Sequence, residues 1–141
     1  MIKRFTLIAL VAVVATLFAC KKDKAEKNTD RLVGKWNMNH TLEVLYENGK
    51  EIDRDEDDGQ GQTVEFKSDG TGVSSYDDGS ENFKWSATAT ELKITEESDS
   101  EADVYTIKSL SKTELVLVEE YVEVEGNTTY REVVETKFTK K

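Results

Sequence analysis

The sequence predicts an all-β domain, an antiparallel up-and-down β-barrel of about eight strands. Apolar residues recur at every second position over long stretches, which places them on one face of an extended strand. Asn-Gly and Asp-Gly pairs separate these stretches and supply the positive φ that tight hairpins need. After residue 19 the chain lacks the apolar spacing of an amphipathic helix. A barrel removes the exposed edges of such a sheet, and a β-sandwich is the alternative architecture.

Residues 1–19 have the pattern of an export signal. Lys3 and Arg4 precede an apolar or small run from Phe5 to Ala19, and a positive start before an apolar core is typical of such signals. The run is shorter than the roughly 20 residues that a membrane-spanning helix needs. We therefore expect residues 1–19 to be an export signal and not a membrane span.

Residues 20–31 are predicted to be a flexible tether that follows this signal. After Cys20 the segment contains no apolar residue larger than alanine. It therefore cannot bury enough surface to offset the entropy lost on ordering. The folded domain is expected over residues 32–141, which suits one domain.

The first strand of this domain is predicted over residues 32–47. Its alternate positions carry Trp36, Met38, His40, Leu42, Val44 and Tyr46. Further strands are expected near 50–55, 61–67, 71–77, 81–88, 91–96 and 103–109, with at least one further hairpin over 113–138. The segment from Leu115 to Val118 breaks the alternation, which indicates either a bulge or a strand buried on both faces.

The composition argues against several classes of function. The chain has 29 acidic and 19 basic residues, with a net charge of −10. Nucleic acid is therefore not an expected partner, because phosphates attract clustered Lys and Arg. One cysteine, Cys20, permits no disulfide within the chain. One histidine, His40, argues against most histidine-based zinc sites and Cys–His catalysis.

No motif in the chain supports an enzyme, a metal site or a cofactor. No serine lies in a Gly-x-Ser-x-Gly nucleophile context. The acidic segment from Asp53 to Asp58 departs from a calcium-binding EF-hand loop, because Gly59 falls at its seventh position and Val64 at its twelfth. We interpret this segment as a solvated hairpin tip. The sequence thus predicts no catalytic residue, no metal and no cofactor.

The end of the export signal carries a more specific pattern. Leu17-Phe18-Ala19-Cys20 resembles the lipobox of bacterial lipoproteins. The resemblance implies that Cys20 becomes the first mature residue and carries a diacylglyceryl group and an amide-linked acyl chain such as palmitate. More than one acyl chain makes membrane attachment durable. We expect a lipid-anchored protein of the cell envelope, at the outer membrane, with the periplasmic or surface side left open.

The start of the folded domain is similar to that of the lipocalins. Leu32-Val33-Gly34-Lys35-Trp36 resembles their Gly-x-Trp opening, which implies that Trp36 plugs one end of the barrel. The ordered segments 64–71, 83–85, 91–94, 110–117 and 137–141 resemble a bacterial lipocalin-like domain of lipoproteins. Lipocalins usually place an arginine over the tryptophan. Here Lys137 or Lys140 would have to make that cation–π contact.

These observations predict a monomeric, non-catalytic barrel that binds one small apolar or amphipathic molecule. For His40 the alternative to a ligand contact is a hydrogen-bonded histidine near a bulge. A second hypothesis is a cell-envelope interaction module, a filled barrel without a small ligand whose acidic loops dock another protein. Both stay open because eight strands can enclose side chains alone or one small ligand. The candidate ligand contacts, assigned by alternation, are Met38, His40, Leu42, Phe66, Phe83 and Trp85.

Overall fold

Nine antiparallel strands form the fold in a computed structural model that describes residues 28–59 and 61–141. β1 pairs with both β3 and β9, so β1 and β3 to β9 close into an eight-stranded barrel. The predicted barrel is therefore confirmed, and β2 is one strand more than the barrel needs. The strands are β1 Gly34–Glu47, β2 Lys50–Asp57, β3 Thr63–Phe66, β4 Thr71–Tyr76, β5 Gly79–Ala87, β6 Glu91–Glu96, β7 Asp103–Leu110, β8 Glu114–Glu125 and β9 Thr128–Lys140.

The hydrophobic core fills one end of the barrel. Alternation along each strand directs one apolar side chain in two to the interior. Leu115 and Leu117 of β8 are buried there, while Val116 and Val118 are half-buried on the other face. The 115–118 segment is therefore a regular part of β8 with one buried and one half-buried face. The bulge in this region lies opposite it in β7, at Lys108. The buried core cluster consists of Leu32, Trp36, Phe66, Phe83, Trp85, Leu92, Leu115, Leu117 and Phe138.

A helical turn at residues 28–32 covers this filled end. Leu32 is fully buried in the core. The Asn28 side-chain amide donates hydrogen bonds to the carbonyl oxygens of Thr88 and Ala89, at 3.1 and 3.0 Å. Residues 28–31, which the sequence assigned to the tether, are therefore packed against the barrel. The predicted signal, Cys20 and the rest of the tether lie outside the described residues.

A bulge in β1 changes which side chains face the interior. Met38 pairs with Phe138, but the next paired residue, His40, is opposite Lys137. Asn39 is therefore the extra residue, and the residues after it point to the opposite face from the one that strict alternation gives. The predicted common face of Trp36, Met38, His40 and Leu42 is wrong beyond Met38 for this reason.

β2 corrects the expectation for the acidic segment. Asp53, Asp55 and Asp57 are paired with Leu45, Glu43 and Thr41 of β1. The segment is therefore mostly a strand, and the hairpin turn lies at Asn48 and Gly49, where both residues have positive φ. Cross-strand hydrogen bonds to β1 hold it straight, while its side chains remain exposed.

β1, β8 and β9 continue beyond the short strands of the barrel and, with β2, form a projecting sheet. The second half of β1 pairs with β2 on one edge and β9 on the other. The second half of β8 pairs only with β9. Val122 and Val124 in this part of β8 are 60% and 65% exposed. The projecting sheet stands at the unfilled end of the barrel, opposite the helical turn.

Gly72 of β4 provides a stability prediction. A Cβ atom at this position would lie 2.2 Å from the Phe83 ring and 2.6 Å from the Glu65 carbonyl oxygen. Gly72→Ala should therefore push Phe83 out of its packed position. Overpacking of this kind costs about 1–3 kcal/mol. Urea denaturation measures the loss.

Gly79→Ala is the matched control for Gly72→Ala. It also replaces a strand glycine, but a Cβ atom there meets nothing within 4 Å. We expect a change in unfolding free energy of at most about 0.5 kcal/mol. Equal losses in the two variants would contradict the steric explanation.

Candidate functional site

A cavity of about 200 Å³ lies inside the barrel between the filled end and the projecting sheet. Phe66 and Phe138, which are buried core residues, form part of its lining. Above them the lining becomes polar toward the open end. The cavity therefore has an apolar base and a polar rim. The lining residues are Met38, Val64, Phe66, Ser74, Tyr76, Ile94, Glu96, Tyr105, Leu117, Glu119, Thr136 and Phe138.

Trp36 blocks the other end of the barrel. It is fully buried, and its indole Nε1 donates a 2.7 Å hydrogen bond to the Leu32 carbonyl oxygen. The Lys140 ammonium lies 5.0 Å from the ring centroid, within cation–π range, and donates to the Arg31 carbonyl oxygen at 2.7 Å. The cation–π contact expected from Lys137 or Lys140 is made by Lys140.

Gly34, two positions before Trp36, is required by the backbone conformation and by the close approach of Lys140. Its φ is +128°, and a Cβ atom there would lie 2.8 Å from Lys140 Cε. Glycine adopts this backbone conformation without a steric cost. It also leaves the space through which Lys140 passes over Trp36. The Gly-x-Trp pattern is thus a packing requirement at the closed end.

Two of the six residues predicted to contact a ligand line the cavity. They are Met38 and Phe66. Phe83 and Trp85 lie beneath it and meet Phe66 edge to face, with ring centroids 5.6 and 5.2 Å away. The Trp85 indole Nε1 donates to the carbonyl oxygens of Lys67 and Thr71. Phe83 and Trp85 therefore support the cavity floor and are not part of its lining.

His40 and Leu42 lie outside the cavity lining, since the bulge at Asn39 turns them to the outer face. His40 Nδ1 lies 3.7 Å from an Asp58 carboxylate oxygen, and His40 Nε2 lies 4.0 Å from a Glu56 oxygen. The alternative interpretation of His40 is a hydrogen-bonded histidine near a bulge. The position beside the bulge agrees with it, but both distances are longer than a hydrogen bond. The expectation that both side chains point into the barrel is corrected.

The polar part of the lining was missed by sequence reasoning, which, apart from His40, named only apolar and aromatic residues. Glu96 continues the alternation of Leu92 and Ile94, and Glu119 continues that of Leu115 and Leu117. The period of two that located the core therefore also places these carboxylates inside. The alternation along β6 and β8 could therefore have identified Glu96 and Glu119 from the sequence.

The carboxylates at the open end form a single group, which we call the acidic mouth. Glu96 and Glu119 belong to the cavity lining. Cross-strand pairing puts the remaining members on the same face. The acidic mouth consists of Glu43, Glu81, Glu96, Asp103, Glu119 and Glu132.

Mutual repulsion and burial raise pKa values in the acidic mouth. The pKa of Glu43 is raised chiefly by the negative charge of Glu132. The pKa of Glu96 is raised first by burial and then by the charges of Glu81, Asp99 and Asp103. Every charge that acts on these two carboxyl groups is negative. An acidic group without a basic partner is disfavoured in its charged form.

The pKa values of two tyrosines at the acidic mouth, Tyr105 and Tyr121, are also raised. Burial raises the pKa of Tyr105, and the charge of Glu119 raises it further. Burial also raises the pKa of Tyr121, whose hydroxyl hydrogen-bonds to Glu119. Both phenols therefore remain neutral hydrogen-bonding groups across the physiological pH range.

Glu43 yields a prediction for the pH dependence of stability. Its pKa is higher in the folded chain than the ordinary value of 4.5, so folding favours the protonated form. The resulting loss of folding stability is complete at pH values above the pKa of Glu43 in the folded chain. It disappears as the pH falls below the ordinary pKa of a glutamate. Glu43→Gln should therefore raise the melting temperature at pH 7, and the difference should close near pH 3. Thermal unfolding followed by circular dichroism measures both.

Glu65→Gln is the control for Glu43→Gln. It makes the same chemical change on β3, where Glu65 is paired with Lys35 of β1. We expect no rise in melting temperature at pH 7. A similar rise in both variants would show that general acidity, and not the Glu43–Glu132 pair, is responsible.

The described residues contain no metal-binding cluster and no membrane-spanning helix. No group of three or more His, Cys, Asp or Glu side chains among them is arranged to hold a metal ion. No helix within residues 28–59 and 61–141 is long and apolar enough to cross a bilayer.

A comparison with protein families found a match over most of the folded domain. The family described as a lipocalin-like domain matches residues 32–117, which is more than half of the chain. The matched region includes the Gly-x-Trp opening and seven complete strands. A search of curated proteins and a search of solved structures found no match.

Proposed function

The chain belongs to the lipocalin-like domain family, and from this premise we propose that it binds one small apolar or amphipathic molecule in the open end of its barrel, without catalysis. The observation that carries the proposal is the cavity of about 200 Å³ with an apolar base and a polar rim. Concave sites of this composition are typical of small-molecule binding. The proposed contacts are Met38, Phe66 and their neighbours in the lining.

The size of the cavity limits the ligand. Binding sites for drug-sized molecules measure about 300–1,000 Å³, whereas a cavity of about 150 Å³ accepts a single benzene ring. The enclosed part of the ligand should therefore be one ring or a short alkyl chain. Any larger part would extend past the rim along the projecting sheet.

A short neutral alcohol tests the binding proposal. The protein would be the chain from residue 20 onward with Cys20→Ser, which retains every contact among the described residues. We expect 1-hexanol to shift the amide NMR signals of residues around the cavity, with a Kd on the order of 1 mM. No shift, or shifts spread evenly over the outer face, would contradict the proposal.

Membrane anchoring is the second part of the proposal. It rests on the lipobox-like Leu17-Phe18-Ala19-Cys20 and places the protein in the cell envelope, at the outer membrane. Two or more acyl chains would hold it there durably. The helical turn at residues 28–32 follows Cys20 closely, so the closed end of the barrel would be nearest the anchor.

Cys20→Ser tests this anchoring. The full chain should be found in the membrane fraction and should incorporate labelled palmitate, whereas Cys20→Ser should lose the label and leave the membrane fraction. Lys21→Ser, a change at the next residue, should keep both properties. Equal membrane association of all three proteins without label would contradict lipidation.

A further inference from the structure

Charges of opposite sign are separated across the barrel wall. Among the described residues, the ion pairs involve carboxylates of the outer face, of β2 and of Asp58, which follows β2. Examples are Arg131 with Glu120 at 3.8 Å and Lys137 with Glu135 at 3.7 Å. The mouth carboxylates form no ion pair with Lys or Arg in this part of the chain. The basic side chains of these two pairs therefore lie on the outer face. The carboxylates of the acidic mouth keep a negative charge that no Lys or Arg side chain of the described residues neutralises.

The two carboxylates nearest the cavity are half-buried. Glu96 and Glu119 both line it, and both are shielded from full solvent exposure. Glu119 contributes to the raised pKa of Tyr121, and Glu81 contributes to the raised pKa of Glu96. A donor entering with a ligand would find acceptors already in place.

This arrangement discriminates by ligand charge. An anionic head group at the rim would add a negative charge beside Glu96, whose charged form the nearby Glu81 and Asp103 already disfavour. A cationic head group would relieve that repulsion and receive charge-assisted hydrogen bonds. The effect is strongest at the rim, where partial burial weakens solvent screening.

We propose that the barrel selects a cationic amphiphile, an organic ammonium compound whose short apolar part enters the cavity and whose charged nitrogen lies between Glu96 and Glu119 at the rim. The inference rests on the proposed binding function and names the ligand class for that same site. Its basis is the cavity together with the charge of its rim. An organic cation suits the site better than a bare metal ion, because the described residues contain no metal-binding group of three.

Three six-carbon probes with a cationic, a neutral and an anionic head group test the inference. Amide NMR titrations with hexylammonium, 1-hexanol and hexanoate at pH 7 would give three dissociation constants. We expect hexylammonium to bind about tenfold more tightly than 1-hexanol, and hexanoate to bind at least about tenfold more weakly. The preference for hexylammonium should shrink as ionic strength rises from about 0.02 M to about 0.5 M.

Paired variants locate the source of the preference. Glu119→Gln combined with Glu96→Gln should bring hexylammonium to the affinity of 1-hexanol and improve hexanoate. Glu120→Gln removes the same charge from the adjacent residue on the outer face, and it should keep the preference. Equal loss in Glu120→Gln would overturn a rim site and indicate net charge alone.

The outcomes separate this inference from the binding proposal. If 1-hexanol binds in the cavity and hexylammonium binds no better, the cation selectivity is wrong and the binding proposal stands. If hexylammonium shifts only exposed acidic residues and 1-hexanol shifts none, both are wrong. Calcium chloride is the remaining probe. If the amide signals of Glu96 and Glu119 shift with calcium but not with hexylammonium, the proposal of an organic cation is wrong and the rim binds a metal ion instead.

Discussion

Trp36→Ala should lower the free energy of unfolding by about 3–5 kcal/mol, the range for removing a large buried aromatic side chain. Trp36 is fully buried at the closed end, where it bonds to the Leu32 carbonyl and lies under Lys140. The substitution removes the packing and both polar contacts at once. Denaturant unfolding, with the slope compared between variants, measures the loss.

Two control variants separate the contribution of the indole hydrogen bond from that of the buried aromatic ring. Trp36→Phe keeps an aromatic ring but leaves the Leu32 carbonyl oxygen without its indole donor, so an intermediate loss is expected. Tyr121→Ala removes an aromatic side chain that is 51% exposed, and it should cost less than Trp36→Phe. A loss below about 1 kcal/mol for Trp36→Ala would contradict the role of Trp36 as the barrel plug.

Ser74→Phe should abolish binding of 1-hexanol within the measurable range. Ser74 lines the cavity from β4, so a phenyl group at this position would occupy much of the space of about 200 Å³. Overpacking should also cost about 1–3 kcal/mol of stability. The NMR titration used for the unaltered chain measures the loss of binding, and the dispersion of the same spectra confirms the fold.

Ser75→Phe is the matched control, because consecutive residues of a strand point to opposite faces. Ser75 pairs with Thr63 and Ser80 on the outer face. The affinity for 1-hexanol should stay within about twofold of the unaltered chain. If both phenylalanine variants bind as before, the ligand does not enter this cavity.

The alternation of apolar and polar residues predicted the barrel and its core well, because a two-residue repeat along each strand decides which side chains face the interior. Trp36, Phe66, Phe83, Trp85 and Phe138 are inside as their positions require. The turns also follow from sequence, since Asn48 and Gly49 supply positive φ at a two-residue turn. From β3 to β9 the strand order follows from simple antiparallel neighbours. Two further pairings join strands that are not consecutive in sequence, β1 with β3, which bypasses β2, and β1 with β9.

The candidate site was less predictable for two physical reasons. The single extra residue at Asn39 reverses the face of everything that follows in β1, and no residue type marks it. This misplaced His40 and Leu42. The second reason is that Glu96 and Glu119 are charged, and charged residues are seldom expected inside a barrel. Their positions follow from register, but the cavity beside them depends on volumes that only the structure provides.

The most direct test of binding is native mass spectrometry of the full chain purified from its own envelope. We expect a defined extra mass that is lost on denaturation, while any covalently attached acyl groups remain. The released molecule should be small and amphipathic. A bare protein mass in repeated preparations, together with no binding of 1-hexanol, would contradict the binding proposal and favour a filled barrel that acts as an interaction module.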